Sequence, residues 1–277
     1  MIREMVINRI EFMKLLEEFY LAVLSFGMKF LEEAKLPVYK GSTLRLVLGR
    51  GLKKASCISK ARECEECSYK FSCIYFKFFE TPISSYETFG KLTNGSHSFM
   101  IEPPLDNRNE TLTSRGRQVF SSLKLEKADS GKLFNKFVRG KDFRNITFKF
   151  VTPTRIKYRN KLTDTLPFYI MAKNLIKRVE MLRYFYGKKT ALFANYKDLI
   201  NLSQDVRGES SQLYWYDWER YSSRQKVRVK LGGLKGTITY SGDIENFPPL
   251  LFLGSYIYIG KGTSLGLGKY EILQEEV

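Results

Sequence analysis

Asn145-Ile146-Thr147-Phe148-Lys149-Phe150-Val151 places Ile146, Phe148 and Phe150 on one side of an extended chain and Thr147, Lys149 and Val151 on the other, the alternation of a half-buried strand. Thr152-Pro153 is expected to end or bend it. Pro167 then opens the best helical pattern in the sequence, with Phe168, Met171, Leu175, Val179 and Leu182 as an apolar stripe. Lys173, Lys177, Arg178 and Arg183 fall mostly off that stripe and read as a solvated basic face. Downstream, the pattern predicts a short helix around Leu199 and a hairpin of residues 227–231 and 236–240 through Gly232-Gly233. A short helix over 247–254 and a strand over 256–260 complete it. Strand, helix, strand, strand, helix, strand is the order of a ferredoxin-like unit.

A blurred copy of that order precedes it. Residues 20–32 alternate imperfectly as an extended segment. Ser42 reads as the N-cap of a helix carrying Leu44, Val47, Leu48, Leu52 and Ala55, with Arg45, Arg50, Lys53 and Lys54 on its other face. Residues 99–102 read as a strand stopped by Pro103-Pro104, residues 119–127 as another, and the surroundings of Leu133, Phe134 and Val138 as a weaker helix. The expected class is α+β: two tandem ferredoxin-like (RRM-like) domains with antiparallel sheets, over 1–148 and 149–277. The first carries a cysteine-rich insertion at 57–73 and the second a glycine-rich loop near the C-terminus.

The 277 residues carry 46 Lys and Arg against 29 Asp and Glu, for a net charge of +17. Hydrophobic residues at 43% and aromatic residues at 14% exclude a disordered basic tail. Such an excess draws a polyanion, either nucleic acid or an anionic membrane surface. The apolar run of residues 19–28 is too short to cross a bilayer, and the first residues lack the pattern of a signal peptide. With no long basic amphipathic helix the membrane surface is disfavoured. The expected location is the cytoplasm, where four cysteines serve as thiols or metal ligands rather than disulfides.

The strongest local signal is Gly260-Lys261-Gly262-Thr263-Ser264-Leu265-Gly266-Leu267-Gly268-Lys269-Tyr270. Alternating glycines let a backbone approach an anion and turn successive N–H groups into one concavity, with Lys261 and Lys269 adding charge. The spacing is neither that of a P-loop nor of a dinucleotide-binding fingerprint. This segment resembles the glycine-rich signature of RAMP proteins, specifically the CRISPR-associated Cas-six family. Residues 36–45 resemble the family's approach to its first helix, and the four cysteines followed by Phe78-Phe79-Glu80 resemble its cysteine-bearing subgroup. Ile101-Glu102-Pro103-Pro104, Thr152-Pro153-Thr154-Arg155-Ile156-Lys157, Arg220-Tyr221-Ser222-Ser223-Arg224-Gln225 and Leu231-Gly232-Gly233-Leu234-Lys235-Gly236 follow in the family's order.

The resemblance implies metal-independent cleavage of precursor CRISPR RNA by attack of a ribose 2′-hydroxyl, leaving a 2′,3′-cyclic phosphate and a 5′-hydroxyl. CRISPR repeat RNA is then the partner, with other CRISPR effector subunits and a homodimer as further partners left open. Proton transfer at neutral pH favours His, and many members place one near the first helix. Here residues 41–56 hold none, and His97, in a polar loop, is the single histidine. Lys40 and Tyr39 are the other proton-transfer candidates, although both titrate near 10 unless perturbed. Arg45, Arg155, Lys157, Arg220, Arg224, Lys261 and Lys269, with Gly262, Gly266 and Gly268, are the candidate RNA contacts; Trp215 and Trp218 read either as base-stacking surfaces or as core. Cys57, Cys64, Cys67 and Cys73, spaced C-x6-C-x2-C-x5-C, suit a structural zinc that takes no part in catalysis, with an iron–sulfur cluster or plain buried thiols as alternatives. A non-catalytic RNA-binding subunit is the second functional reading, and a basic DNA-binding protein the third.

Overall fold

The computed structural model describes residues 21–26, 34–35, 37, 39–59, 63–80, 96–103, 111–112, 123–128, 130–139, 143–187, 196–217, 219–222 and 227–273. In the first half, the elements are β1 (Leu21–Phe26), β2 (Ala34–Lys35), α1 (Gly41–Ser56), β3 (Thr111–Leu112), β4 (Leu123–Ala128) and α2 (Ser130–Val138). β1 lies antiparallel to β4, with Leu21 opposite Ala128, and β2 lies antiparallel to β3. The extended, strand and weaker helical patterns of this half thus appear at β1, β4 and α2. Ser42 does not cap α1: the cap position falls two residues earlier, at Lys40, and no side chain closes the N-terminus. Residues 99–102 form no strand. Arg178 holds that stretch instead, its Nη2 donating to the carbonyl of His97 at 3.2 Å.

The second half runs β5 (Asn145–Thr154), β6 (Lys157–Tyr158), β7 (Lys161–Leu162), α3 (Phe168–Tyr186), α4 (Tyr196–Leu202), β8 (Arg207–Ser211), β9 (Tyr214–Tyr216), β10 (Glu219–Ser222), β11 (Val227–Lys230), β12 (Gly233–Ser241), α5 (Pro248–Ile257) and β13 (Tyr270–Leu273). Its main sheet has the order β13-β5-β12-β8, with every neighbour antiparallel and β9 on the far end of β12. With α3 and α5, these four strands form the expected ferredoxin-like unit. β5 starts at Asn145, ahead of the expected boundary at 148/149, and continues through Pro153 to Thr154. Ile146, Phe148 and Phe150 point into one core with Phe168, Met171, Leu175 and Val179 of α3 and Leu250, Leu251 and Leu253 of α5. Burying each such side chain contributes roughly 1.5–3 kcal/mol. On the other face, Thr147 and Thr239 join hydroxyls at 2.8 Å. The fold class is α+β, complete in this half and represented in the first by β1, α1, β4 and α2.

Three expectations fail here. β11 pairs with β10, while β12 pairs with β5, β8 and β9, so residues 227–240 are not a hairpin. Gly232-Gly233 is a crossing rather than a turn: a Cβ on Gly233 would stand 2.7 Å from the carbonyl oxygen of Thr154. Residues 256–260 are not a strand, because α5 continues to Ile257, and the closing strand is β13. Arg178 and Arg183 are buried, although Lys173 and Lys177 keep to the solvated face.

Candidate functional site

The glycine-rich segment meets the start of α1, and the fit is close. A Cβ on Gly41 would lie 1.9 Å from the carbonyl oxygen of Leu265, which also accepts the Tyr39 hydroxyl at 3.0 Å. Residues Thr263–Leu265 make one tight helical turn between Gly262 and Gly266, both left-handed, with φ of 80° and 89°. A Cβ on Gly266 would stand 2.4 Å from Ile101 O and 2.7 Å from the Tyr39 hydroxyl. The segment therefore seals the joint between the two halves of the chain.

That packing corrects the expected phosphate cradle. The N–H groups of Lys261, Leu265, Gly266, Leu267 and Gly268 donate to the carbonyls of Arg155, Gly262, Thr263, Gly262 and Pro153. Lys269 N–H donates to Thr152 Oγ1 at 2.9 Å. Gly266 and Gly268 thus have no N–H left to offer an anion, and Gly262 spends its carbonyl on the turn; the glycines shape the joint. Lys269 is committed as well, since its ammonium pairs with Glu102, whose other oxygen accepts the Tyr258 hydroxyl at 3.3 Å.

Arg45 and His97 meet at this joint. Arg45 projects from α1 with its guanidinium 5.2 Å from the Phe79 ring and 5.8 Å from the Phe99 ring. Its Nε donates to Ser264 Oγ at 3.2 Å and its Nη2 to His97 Nε2 at 3.2 Å. On the other side of the imidazole, Nδ1 lies 3.0 Å from the carbonyl of Phe78. A carbonyl only accepts, so Nδ1 carries the proton and Nε2 accepts from Arg45. Burial first, then the charge of Arg45, lower the His97 pKa to about 4, so the ring is neutral at pH 7. His97 is not a solvent-facing loop residue.

Tyr39 does not fit the part of a base: burial holds its phenol well above the ordinary value while its proton is directed at Leu265 O. Lys40 is buried at the start of α1 and its carbonyl accepts the Leu44 N–H at 2.9 Å. Arg155, Lys157, Lys177 and Lys261 gather beside the glycine segment. Burial, then Lys157, Arg155 and Lys177, lower the pKa of Lys261. Arg155 Nη1 donates to the carbonyls of Lys230 and Gly232 at 3.1 and 2.9 Å. Crowded cations of this kind are relieved by an anion. Trp215 is 38% exposed with its Nε1 fixed on Asp217 Oδ1 at 2.8 Å. Arg220 lies on β10, whereas Arg224 and Trp218 are outside the described residues.

Lys177, Ser264, Phe79, Phe99 and the buried Arg178 are parts of this site that the sequence did not disclose. Arg178 donates to Ile257 O through Nε at 3.2 Å as well as to His97 O, tying the His97 stretch to the end of α5. The one signal available was an arginine at a helix position next to an apolar stripe. The four cysteines line one cavity of about 20 Å³ with Lys53, Ser59, Lys70, Tyr75 and Phe76. Among the described residues, no three His, Cys, Asp or Glu side chains are gathered closely enough to hold an ion as they stand. No helix among the described residues is long and apolar enough to cross a membrane.

Residues 148–270 match the family described as the CRISPR-associated endoribonuclease Cas6, and residues 19–125 match an AF_1859-type N-terminal domain. No curated protein matches the sequence. Among solved structures, a Cas6 (TTHB231) product complex is similar over 92% of this chain and 100% of its own, with 14% identity and a TM-score of 0.51. A partial Cas6-RT-Cas1–Cas2 complex is similar over 94% of this chain and 47% of its own, with 15% identity and a TM-score of 0.50. Thermus thermophilus Cas6 (TTHB231) shares 17% identity over 55% of this chain and 66% of its own, with a TM-score of 0.39. The residues matched to the Cas6 family, 148–270, span most of the ferredoxin-like unit and the whole glycine-rich segment, and the likeness to the solved structures is one of fold.

Proposed function

We propose that the chain binds CRISPR repeat RNA along the joint between its halves and cleaves precursor CRISPR RNA without a metal ion, by 2′-hydroxyl attack. The observation that carries this reading is the meeting of Arg45, His97 and Ser264 beside the crowded cations Arg155, Lys157, Lys177 and Lys261. In free protein the Arg45 guanidinium occupies the lone pair of His97 Nε2. A scissile phosphate that draws Arg45 onto its own oxygens frees that lone pair and removes the charge that keeps the imidazole from taking a proton. His97 then accepts the proton of the attacking 2′-hydroxyl, and Arg45 stays with the negative charge growing on phosphorus. Attack forms the 2′-oxygen–phosphorus bond and breaks the bond to the 5′-oxygen, which leaves as a hydroxyl once protonated. Lys40 is the second proton-transfer group, and the positioned RNA itself supplies part of the rate.

The alternative is an RNA-binding subunit that does not cut. It is favoured by one observation: both ring nitrogens of His97 are engaged within the protein. Other CRISPR effector subunits are then its partners, in the cytoplasm. Incubation with the cognate repeat RNA in EDTA decides between the two. A discrete product ending in a cyclic phosphate supports the nuclease, tight binding without product supports the subunit, and no binding refutes both.

A further inference from the structure

Three separate pieces of chain bring the cysteines together. Cys57 follows the last turn of α1, Cys64 and Cys67 bracket one tight turn, and Cys73 precedes the wide helical turn Phe76–Glu80. Their shared cavity, about 20 Å³, has room for one small guest, since a single water needs roughly 10–15 Å³ by the same measure. Its wall is built for anionic sulfur. Cys67 N–H donates to Cys64 O at 3.3 Å, closing the C-x2-C turn; Ser59 Oγ lies 3.0 Å from Cys67 Sγ, and the Tyr69 N–H is directed at the same sulfur. Lys53 bonds Cys64, and Lys70 stands on the same wall. One divalent ion with four thiolates carries a net charge of −2, which these two ammonium groups offset.

We propose that Cys57, Cys64, Cys67 and Cys73 take up one zinc ion as a closed four-thiolate site. The four sulfurs line one cavity without yet converging on a common centre, so closing them onto an ion would draw on its binding energy. Soft sulfur donors alone, without carboxylate or imidazole, select zinc over hard cations. With every position filled by sulfur, the ion activates no water. Its effect is on position. It staples the end of α1 to the turn whose Phe79 ring packs on Gly49 and under Arg45 and whose Phe78 carbonyl holds His97.

The test uses the whole protein without RNA, so it stands or falls apart from the proposed cleavage. Protein purified under reducing conditions without chelator should contain one zinc per chain, with all four thiols protected from a thiol reagent until a strong chelator is added. Co²⁺ given to the stripped protein should produce the visible bands of tetrahedral cobalt–thiolate coordination. Cys67→Ser and Cys73→Ser should each lose the zinc. Four freely reactive thiols in protein that neither contains zinc nor colours with Co²⁺ would overturn the assignment, as would stoichiometric iron. The cobalt spectrum of the unsubstituted protein decides the matter even if the serine variants fail to fold.

Discussion

Protonation of His97 should be one of the larger pH-dependent costs to this fold. Burial, reinforced by Arg45 and Arg178 and opposed by the Phe78 carbonyl and Glu80, lowers its pKa from 6.5 to about 4. At pH 7 the ring is neutral in folded and unfolded chains alike, so it contributes no pH dependence there. Below 6.5 the unfolded chain takes a proton that the folded chain refuses until about 4, so stability falls with pH across that window and levels off beneath it. At about 1.4 kcal/mol per pKa unit, the full window is worth about 3 kcal/mol, of which roughly 2–3 kcal/mol is spent by pH 4.5. Carboxylates also titrate toward acid, so the comparison is made against His97→Gln, which keeps them. Urea unfolding of both proteins at pH 7 and pH 4.5 should show the unsubstituted protein losing about 2 kcal/mol more than the variant. Equal losses, or a His97 ring resonance titrating near 6.5, would refute the buried geometry described for it.

Gly266→Ala should lower stability by about 3 kcal/mol in thermal or urea unfolding, since a methyl at φ 89° meets Ile101 O and the Tyr39 hydroxyl. Gly51→Ala, with nothing within 4 Å of the new Cβ in the exposed part of α1, should instead raise it by roughly 0.5–1 kcal/mol. In titrations of repeat RNA against salt, Lys157→Ala and Lys261→Ala should each weaken binding and flatten the slope of log K against log salt by about 0.7. Lys269→Ala, whose ammonium is paired with Glu102, should leave that slope unchanged.

β5, most of β12 and α3 were legible because their periodicity is local: Ile146, Phe148 and Phe150 alternate, and Phe168, Met171 and Leu175 recur along one stripe, whereas β8 and β13 carry no such pattern. Strand partners were not legible. Residues 227–230 alternate as well for β10 as for β12, and two glycines permit a close crossing as readily as a turn. Arg45, Arg155, Lys157 and Lys261 could be named from their type and surroundings in the chain, whereas Lys177 and Arg178 read as a solvated helix face. The arrangement of the site could not be read, because Arg45 reaches His97 across 52 residues and Ser264 across 219. The glycine-rich segment shows the same limit: its positive φ values were foreseeable, but the acceptors of its N–H groups, such as Pro153 O and Thr152 Oγ1, belong to a strand more than a hundred residues away.

The measurement that tests the central claim most directly is cleavage of repeat RNA carrying one 2′-deoxynucleotide just before the mapped scissile phosphate, in EDTA. The account predicts binding as tight as to the all-ribose RNA, no product at that position, and normal cleavage of the all-ribose control to a cyclic phosphate end. Cleavage of the deoxy-substituted RNA, or cleavage of the control only when a divalent metal is restored, would contradict it.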